Sequence, residues 1–228
     1  MRLFTKIPEP KKTVIVTEEQ VRMLKEATDG HFSTQELSAL TSFAAKKRYC
    51  EEHLGRNVGR GSSRMVFQID DEKVLKLAFN SKGVAQNEEE ASWYKQNWDF
   101  IPKIYEVDDN YGWIVCEYVL PAKKQDFVHC LGITWEEFVD FVNTVFSQFS
   151  RMYIGHDLDY DEMEQMTDNN EMLSELYTYI TDTCFVNYDI IRICNWGLAQ
   201  RNGNAYLVFL DHGFSQRVKD EYYTPKIR

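Results

Sequence analysis

The stretch Gly59-Arg60-Gly61-Ser62-Ser63-Arg64-Met65-Val66, with Val74-Leu75-Lys76-Leu77 shortly after it, decides how this chain reads. Two glycines one residue apart, beside two serines, make a turn whose backbone can approach a ligand closely because no Cβ stands in the way. The β-branched and apolar residues around it predict strands near 64–69 and 73–79. Lys76 lies between Leu75 and Leu77, so strand alternation turns it to the opposite sheet face from both. An ammonium held that way needs a partner or solvent, since burying it unpaired is costly. The acidic run Glu88-Glu89-Glu90, on a helix predicted over about 84–98, supplies one. Glu90 is the first choice, with Glu88 and Glu89 as alternatives.

Working outward, further strands are predicted near 102–107 and 112–119, separated by the turn-forming Asp109-Asn110-Tyr111-Gly112. Upstream, Thr13-Val14-Ile15-Val16 reads as a short strand, and Thr17 with Gln20 opens a helix that Asp29-Gly30 stops. Ser33 and Glu36 form a second capping box, opening a helix to about Glu52 with Leu37, Leu40, Phe43 and Ala44 on one face. These helices either brace the sheet or offer a docking surface to a protein partner. After Pro121 the texture turns helical. Thr134 and Glu137 make another capping box, and Phe138, Phe141, Val142, Val145, Phe146 and Phe149 recur at helical spacing. A further helix covers about 169–181, and the acidic stretch 156–170 reads as a solvated connector. Asn195 to Leu210 reads as a β-hairpin turning at Arg201-Asn202-Gly203. Strands in one block and helices in another, without βαβ alternation, place the chain in the α+β class and exclude a Rossmann fold.

Composition narrows the function. At 228 residues, with 43% hydrophobic and 14% aromatic content, the chain can bury a sizeable core. A net charge of −10 argues against nucleic acid as a partner, and the basic clusters Lys11-Lys12, Lys46-Lys47-Arg48 and Lys123-Lys124 are too short to reverse that. The five cysteines are scattered without CxxC spacing, which disfavours a disulfide framework or a zinc site and predicts a reducing, cytoplasmic setting. No signal peptide and no membrane-spanning run is expected. The lack of a GxSxG elbow leaves hydrolase readings weak.

Late in the chain, Leu207-Val208-Phe209-Leu210-Asp211-His212-Gly213 ends a strand in an acidic turn. Glycine turn, strand lysine, helix glutamate and late aspartate, in that order, resemble the nucleotide-handling residues of the protein-kinase-like superfamily, and most nearly its small, divergent members from bacteria and their viruses. The resemblance spans about residues 55–215. It implies a two-lobed fold: a helical extension over 1–54, a small lobe over 55–120 with an antiparallel sheet, and a reduced helical large lobe over 121–228 carrying a metal-binding hairpin. It also implies ATP and Mg²⁺. The turn residues Gly59, Gly61, Ser62, Ser63 and Arg64 would cover the phosphates, and Lys76, fixed by Glu90, would hold them. Backbone groups of Glu117 and Val119 would meet the adenine edge, and Asp211 with Asn195 would ligate the metal.

Four departures qualify the resemblance. Arg64 stands where the family has its third glycine, and His212 where it has a phenylalanine. The family also places its catalytic aspartate five residues before the metal-binding asparagine. Here that position is Ile190, which accepts no proton, and Asp189 beside it serves only if the loop is rebuilt. After Gly213 only Phe214–Arg228 follows, so the activation segment and peptide-binding helices are expected to be absent. Three readings stand: a pseudokinase that binds nucleotide, a minimal phosphotransferase acting on a small molecule or a protein, and a structural component of a virion or complex without nucleotide. The setting would be host cytoplasm, or the virion if the protein is viral.

Overall fold

The computed structural model describes residues 31–94, 98–149, 158–183 and 189–224. The strand expected at Thr13–Val16 and the helix opening at Thr17 lie outside them. Ser33 accepts a hydrogen bond from the Glu36 N–H (3.4 Å) and starts α1, Thr34–Ala39. The single helix expected from Ser33 to about Glu52 is two helices. The backbone is extended at Leu40, and Ser42 caps α2, Phe43–His53, by accepting from the Ala45 N–H (3.2 Å). Glu36 does not close its capping box; its carboxylate accepts from the Tyr49 hydroxyl (2.8 Å) and ties α1 to α2 instead.

Five strands follow: β1 (Gly59–Arg60), β2 (Arg64–Gln68), β3 (Lys73–Ala78), β4 (Ile104–Val107) and β5 (Trp113–Glu117). They form one antiparallel sheet in the order β1-β2-β3-β5-β4. Lys76 lies opposite Val66 on one side and Ile114 on the other, and this register sorts the two faces. Met65, Phe67, Leu75, Leu77, Trp113 and Val115 share one face and pack on Leu37 of α1 and Cys50 of α2. Each fully buried Leu or Phe there contributes about 2 kcal/mol of burial free energy. Ser38 reinforces the contact by donating to Asp108 Oδ1 (2.8 Å) while accepting from Trp113 Nε1 (3.1 Å). Arg64, Val66, Val74, Lys76 and Cys116 share the other face, across which runs α3, Ser81–Tyr94.

Beyond β6 (Leu120–Pro121) come α4 (Lys124–Leu131), α5 (Trp135–Phe149), α6 (Tyr160–Asn169) and α7 (Glu171–Thr183). Thr134 and Glu137 cap α5 reciprocally (2.6 and 3.2 Å). Phe138, Phe141, Val142, Val145 and Phe146 meet Leu173, Leu176, Tyr179 and Ile180 of α7 in the largest core. The stretch 156–170, expected to be a connector, carries α6. Asp159 and Glu162 form a capping box there, their charges suit a helix N-terminus, and Met163 is buried in the core. β7 (Trp196–Arg201) and β8 (Asn204–Phe209) pair antiparallel, with β6 on the outer side of β7. Asn202 (φ 51°) and Gly203 (φ 81°) both adopt the left-handed conformation that a tight two-residue hairpin turn requires. A last helix, α8 (Gln216–Tyr222), is not among the elements read from the sequence. The architecture is mixed α+β, with antiparallel sheets and eight α-helices among the described residues. No helix among them is long and apolar enough to cross a membrane.

Candidate functional site

Between the second face of the large sheet and the turn after β8 lies a cavity of about 420 Å³. Its wall runs from Gly59, Gly61, Ser62, Ser63 and Arg64, past Lys76, Asp211 and Val66, to Cys116, Glu117, Tyr118 and Val119. The glycine turn closes by a Gly61 N–H bond to the Arg64 carbonyl (3.0 Å). A Cβ added at Gly61 would meet nothing within 4 Å, so the turn stands beside open space. Ser63 is buried and its hydroxyl donates to Gln86 of α3, whereas Ser62 remains exposed and meets the Tyr223 hydroxyl (3.4 Å).

At the centre is an ion network. Lys76 Nζ donates to Glu90 Oε2 (2.6 Å) and to the Leu210 carbonyl (2.8 Å). The neighbouring acids turn elsewhere: Glu88 and Glu89 pair with Arg217 of α8 (2.9 and 2.6 Å). Arg64, the first residue of β2, points along the same face as Lys76. Its Nη1 donates to Glu90 Oε1 (2.7 Å) and Asn87 Oδ1 (3.3 Å), and its Nη2 to Asp211 Oδ1 (2.9 Å). Glu90 is 0% exposed. Burial pushes its carboxyl up, yet the Arg64 guanidinium and the Lys76 ammonium overrule that and hold it at about 2. Burial pushes Arg64 down, and the carboxylates of Glu90 and Asp211 reverse this and raise it.

The turn after β8 is pressed against α3. A Cβ at Gly213 would collide with the Gln86 carbonyl and approach Glu90 Cγ to 2.9 Å, so only glycine permits this packing. His212 is buried, with Nδ1 at 3.2 Å from the Phe209 carbonyl and no hydrogen-bond partner for Nε2 among the described residues. Burial drives its imidazole down to about 4, with Glu90 pulling the other way and Lys76 adding to the fall.

At the far end of the cavity, the Glu117 N–H donates to the Lys103 carbonyl (2.8 Å) and the Tyr118 N–H to the Glu72 carbonyl (2.7 Å), so both are engaged within the protein. The Glu117 carboxylate receives Arg201 Nε (3.1 Å) and Nη2 (2.6 Å), a buried bidentate pair. Arg201 also donates to the carbonyls of Asp99 (2.7 Å) and Ile101 (2.9 Å), pinning the segment before β4 to the end of β7. From the sequence, Arg201 reads only as a turn residue before Asn202-Gly203.

Asn195 and Asp211 stand at the same end of the β7–β8 hairpin, where the Leu210 N–H donates to the Asn195 carbonyl (2.8 Å). The Asn195 amide donates to the Asp189 carbonyl (3.0 Å), and Asp189 Oδ1 lies 3.3 Å from Arg192 Nη1. Among the described residues, Asp189 and Asn195 are not part of the cavity wall. Ile190 is 0% exposed, packed in the large helical core. As a place for Mg²⁺ the donor set is thin. Asp211 already shares one oxygen with a guanidinium, and among the described residues no three His, Cys, Asp or Glu side chains converge to hold a metal ion. Asp211 and Asn195 would leave a divalent cation to draw its remaining oxygen ligands from a bound ligand or from water.

No family model and no curated protein matches the chain. Among solved structures, that of the streptomycin–ATP–APH(2″)-IIa ternary complex is similar to it at 13% identity with a TM-score of 0.29. The match covers 69% of this chain and 66% of that one, just under two thirds of the neighbour's length.

Proposed function

We propose that this chain is a kinase-like nucleotide-binding protein that holds ATP in the cavity and has weak or absent phosphotransferase activity. In this reading residues 55–120 act as a small lobe and 121–228 as a reduced large lobe, with the cavity between them. One observation carries it: Lys76, fixed by Glu90 at 2.6 Å, lines a cavity of about 420 Å³ that reaches from a glycine turn to the end of β5. That volume is within the roughly 300–1,000 Å³ range of small-molecule sites. The triphosphate would lie under Gly61 and Ser62, where Lys76 and Arg64 supply positive charge, and the base would lie toward Cys116 and Val119. The expected base position is Ile190, inside the core, and the Asp189 carboxylate sits beside Arg192.

A thermal-shift titration with ATP tests the reading, because a ligand that binds only the native state raises its stability by mass action. Wild type should show a saturable rise in Tm, and Lys76→Met should lose it while still melting cooperatively. A wild-type protein whose Tm ignores ATP would leave the structural-component reading in its place.

A further inference from the structure

The way Arg64 is held in the site goes beyond the supply of charge in this reading. Arg64 replaces a small residue in the turn with a long cation, and the fold does not leave it in solvent: the residue is 8% exposed. Its guanidinium is clamped by groups from two separate elements, Glu90 and Asn87 on α3 and Asp211 after β8. Three of the five N–H donors of a guanidinium go to these residues. The same side chain lines the cavity beside Lys76 and Asp211. Two cations and two carboxylates therefore share one cluster, and Asp211, the acid best placed to ligate a metal, already has a permanent positive partner.

We infer that Arg64 takes the place of the divalent cation, so that nucleotide phosphates bind here without metal. The inference rests on the nucleotide reading above and deepens it. An ion pair with a fixed, planar guanidinium suits both carboxylate and phosphate oxygens, which Arg recognises in a bidentate manner. Mg²⁺ has a different requirement, near-octahedral oxygen coordination with several ligands from the site or from water. To reach Asp211 it must displace the guanidinium or sit beside it, and two cations at one carboxylate repel each other. Lys76 and Arg64 together present two positive charges, one fewer than a lysine and a divalent metal would present, and both are fixed in place without a bound ion. Asp211 then acts as a positioning residue for Arg64.

The experiment measures ATP and ADP affinity by thermal shift and by calorimetry, each nucleotide in excess EDTA and in MgCl₂. Wild type should bind about equally well in both. Asp211→Asn, a nearly isosteric change at a partly exposed residue, should weaken binding severalfold and equally in EDTA and in MgCl₂, because Arg64 loses one of its holding partners while its contacts to Glu90 and Asn87 remain. Arg64→Gln should weaken binding in EDTA by on the order of tenfold to a hundredfold, the loss of a charged hydrogen-bond donor, and MgCl₂ should restore part of it. If Arg64→Gln does not fold, wild type and Asp211→Asn decide the question alone. Binding by wild type only in MgCl₂, or a loss of affinity in Asp211→Asn that appears only in MgCl₂, would overturn the role given to Arg64 and leave the nucleotide reading standing. No binding of either nucleotide by wild type, with or without metal, would remove the nucleotide reading and this inference with it.

Discussion

Glu90 is the residue on which the site turns, since one fully buried carboxylate balances two buried cations at 2.6 and 2.7 Å. Removing one member of such a cluster costs more than an exposed salt bridge is worth, because the partner left behind stays desolvated. Glu90→Gln leaves Lys76 and Arg64 facing each other without their shared anion and should cost about 3–5 kcal/mol in urea denaturation. Lys76→Met leaves Glu90 still paired with Arg64 and should cost less, on the order of 2 kcal/mol. The reverse ranking would show that Arg64 does not stabilise Glu90. Acid should weaken the fold in two stages. The unfolded His212 imidazole takes a proton near 6.5 while the buried one resists to about 4, so stability falls as pH drops across that interval. Glu90 contributes fully above about 4.5 and loses its contribution as pH falls towards about 2. Each shift corresponds to roughly 3 kcal/mol. Denaturation midpoints measured from pH 7 to 3 should show both stages in wild type, and His212→Phe should flatten the upper one; an unchanged slope between pH 6.5 and 4 in that variant would rule out His212 as its source.

At the scale of elements, alternation and caps were legible and partner choices were not. The period-two pattern of β3 put Lys76 on the face away from Leu75 and Leu77, and the structure has both leucines under α1 and α2 with Lys76 across from them. The Thr134–Glu137 box and the Asn202-Gly203 turn could be read because their chemistry is local. The break between α1 and α2 was missed because Ser42 is an equally good cap placed inside an apparently continuous apolar stripe. The acidic segment around Asp159 read as a connector because charge density hid a capping box and the buried Met163. The partners of Arg64 and Arg201 lay beyond local reasoning, for Asp211 and Glu117 are far away in sequence. The tight docking of the Asp211 turn on α3 is likewise invisible until Gly213 is seen against the Gln86 carbonyl. Gly213→Ala must therefore move the turn off the helix. Overpacking of this kind costs about 1–3 kcal/mol, and here it should also impair nucleotide binding by displacing Asp211 and Leu210 from Arg64 and Lys76. Urea melts with a parallel ATP titration check both effects; a variant as stable as wild type would mean that the turn is looser than its packing implies.

For the molecule as a whole, what matters is whether the parts brought together suffice for chemistry. Three groups bind the sheet half to the hairpin half: Lys76 on the Leu210 carbonyl, Arg64 on Asp211, and Arg201 on Glu117. They span the cavity from one end to the other, and such staples favour holding a ligand in a preset cleft. Phosphoryl transfer needs positioning and electrostatic stabilisation above all, which in the proposed reading Lys76 and Arg64 would supply to a nucleotide. It also gains typically 10²–10⁴-fold from a general base, and the residue that the proposed reading expects at that position, Ile190, is sealed in the core. Asp189 is the nearest substitute, but its carboxylate lies by Arg192 and it stands outside the cavity wall formed by the described residues. We therefore expect little or no transfer from labelled ATP to generic protein substrates, at a rate unchanged by Asp189→Ala. Asp211→Ala should alter nucleotide affinity through Arg64 without abolishing a reaction that is barely present. Robust transfer, lost in both Asp189→Ala and Asp211→Ala, would refute this expectation and make Asp189 a base delivered by a rearranged loop.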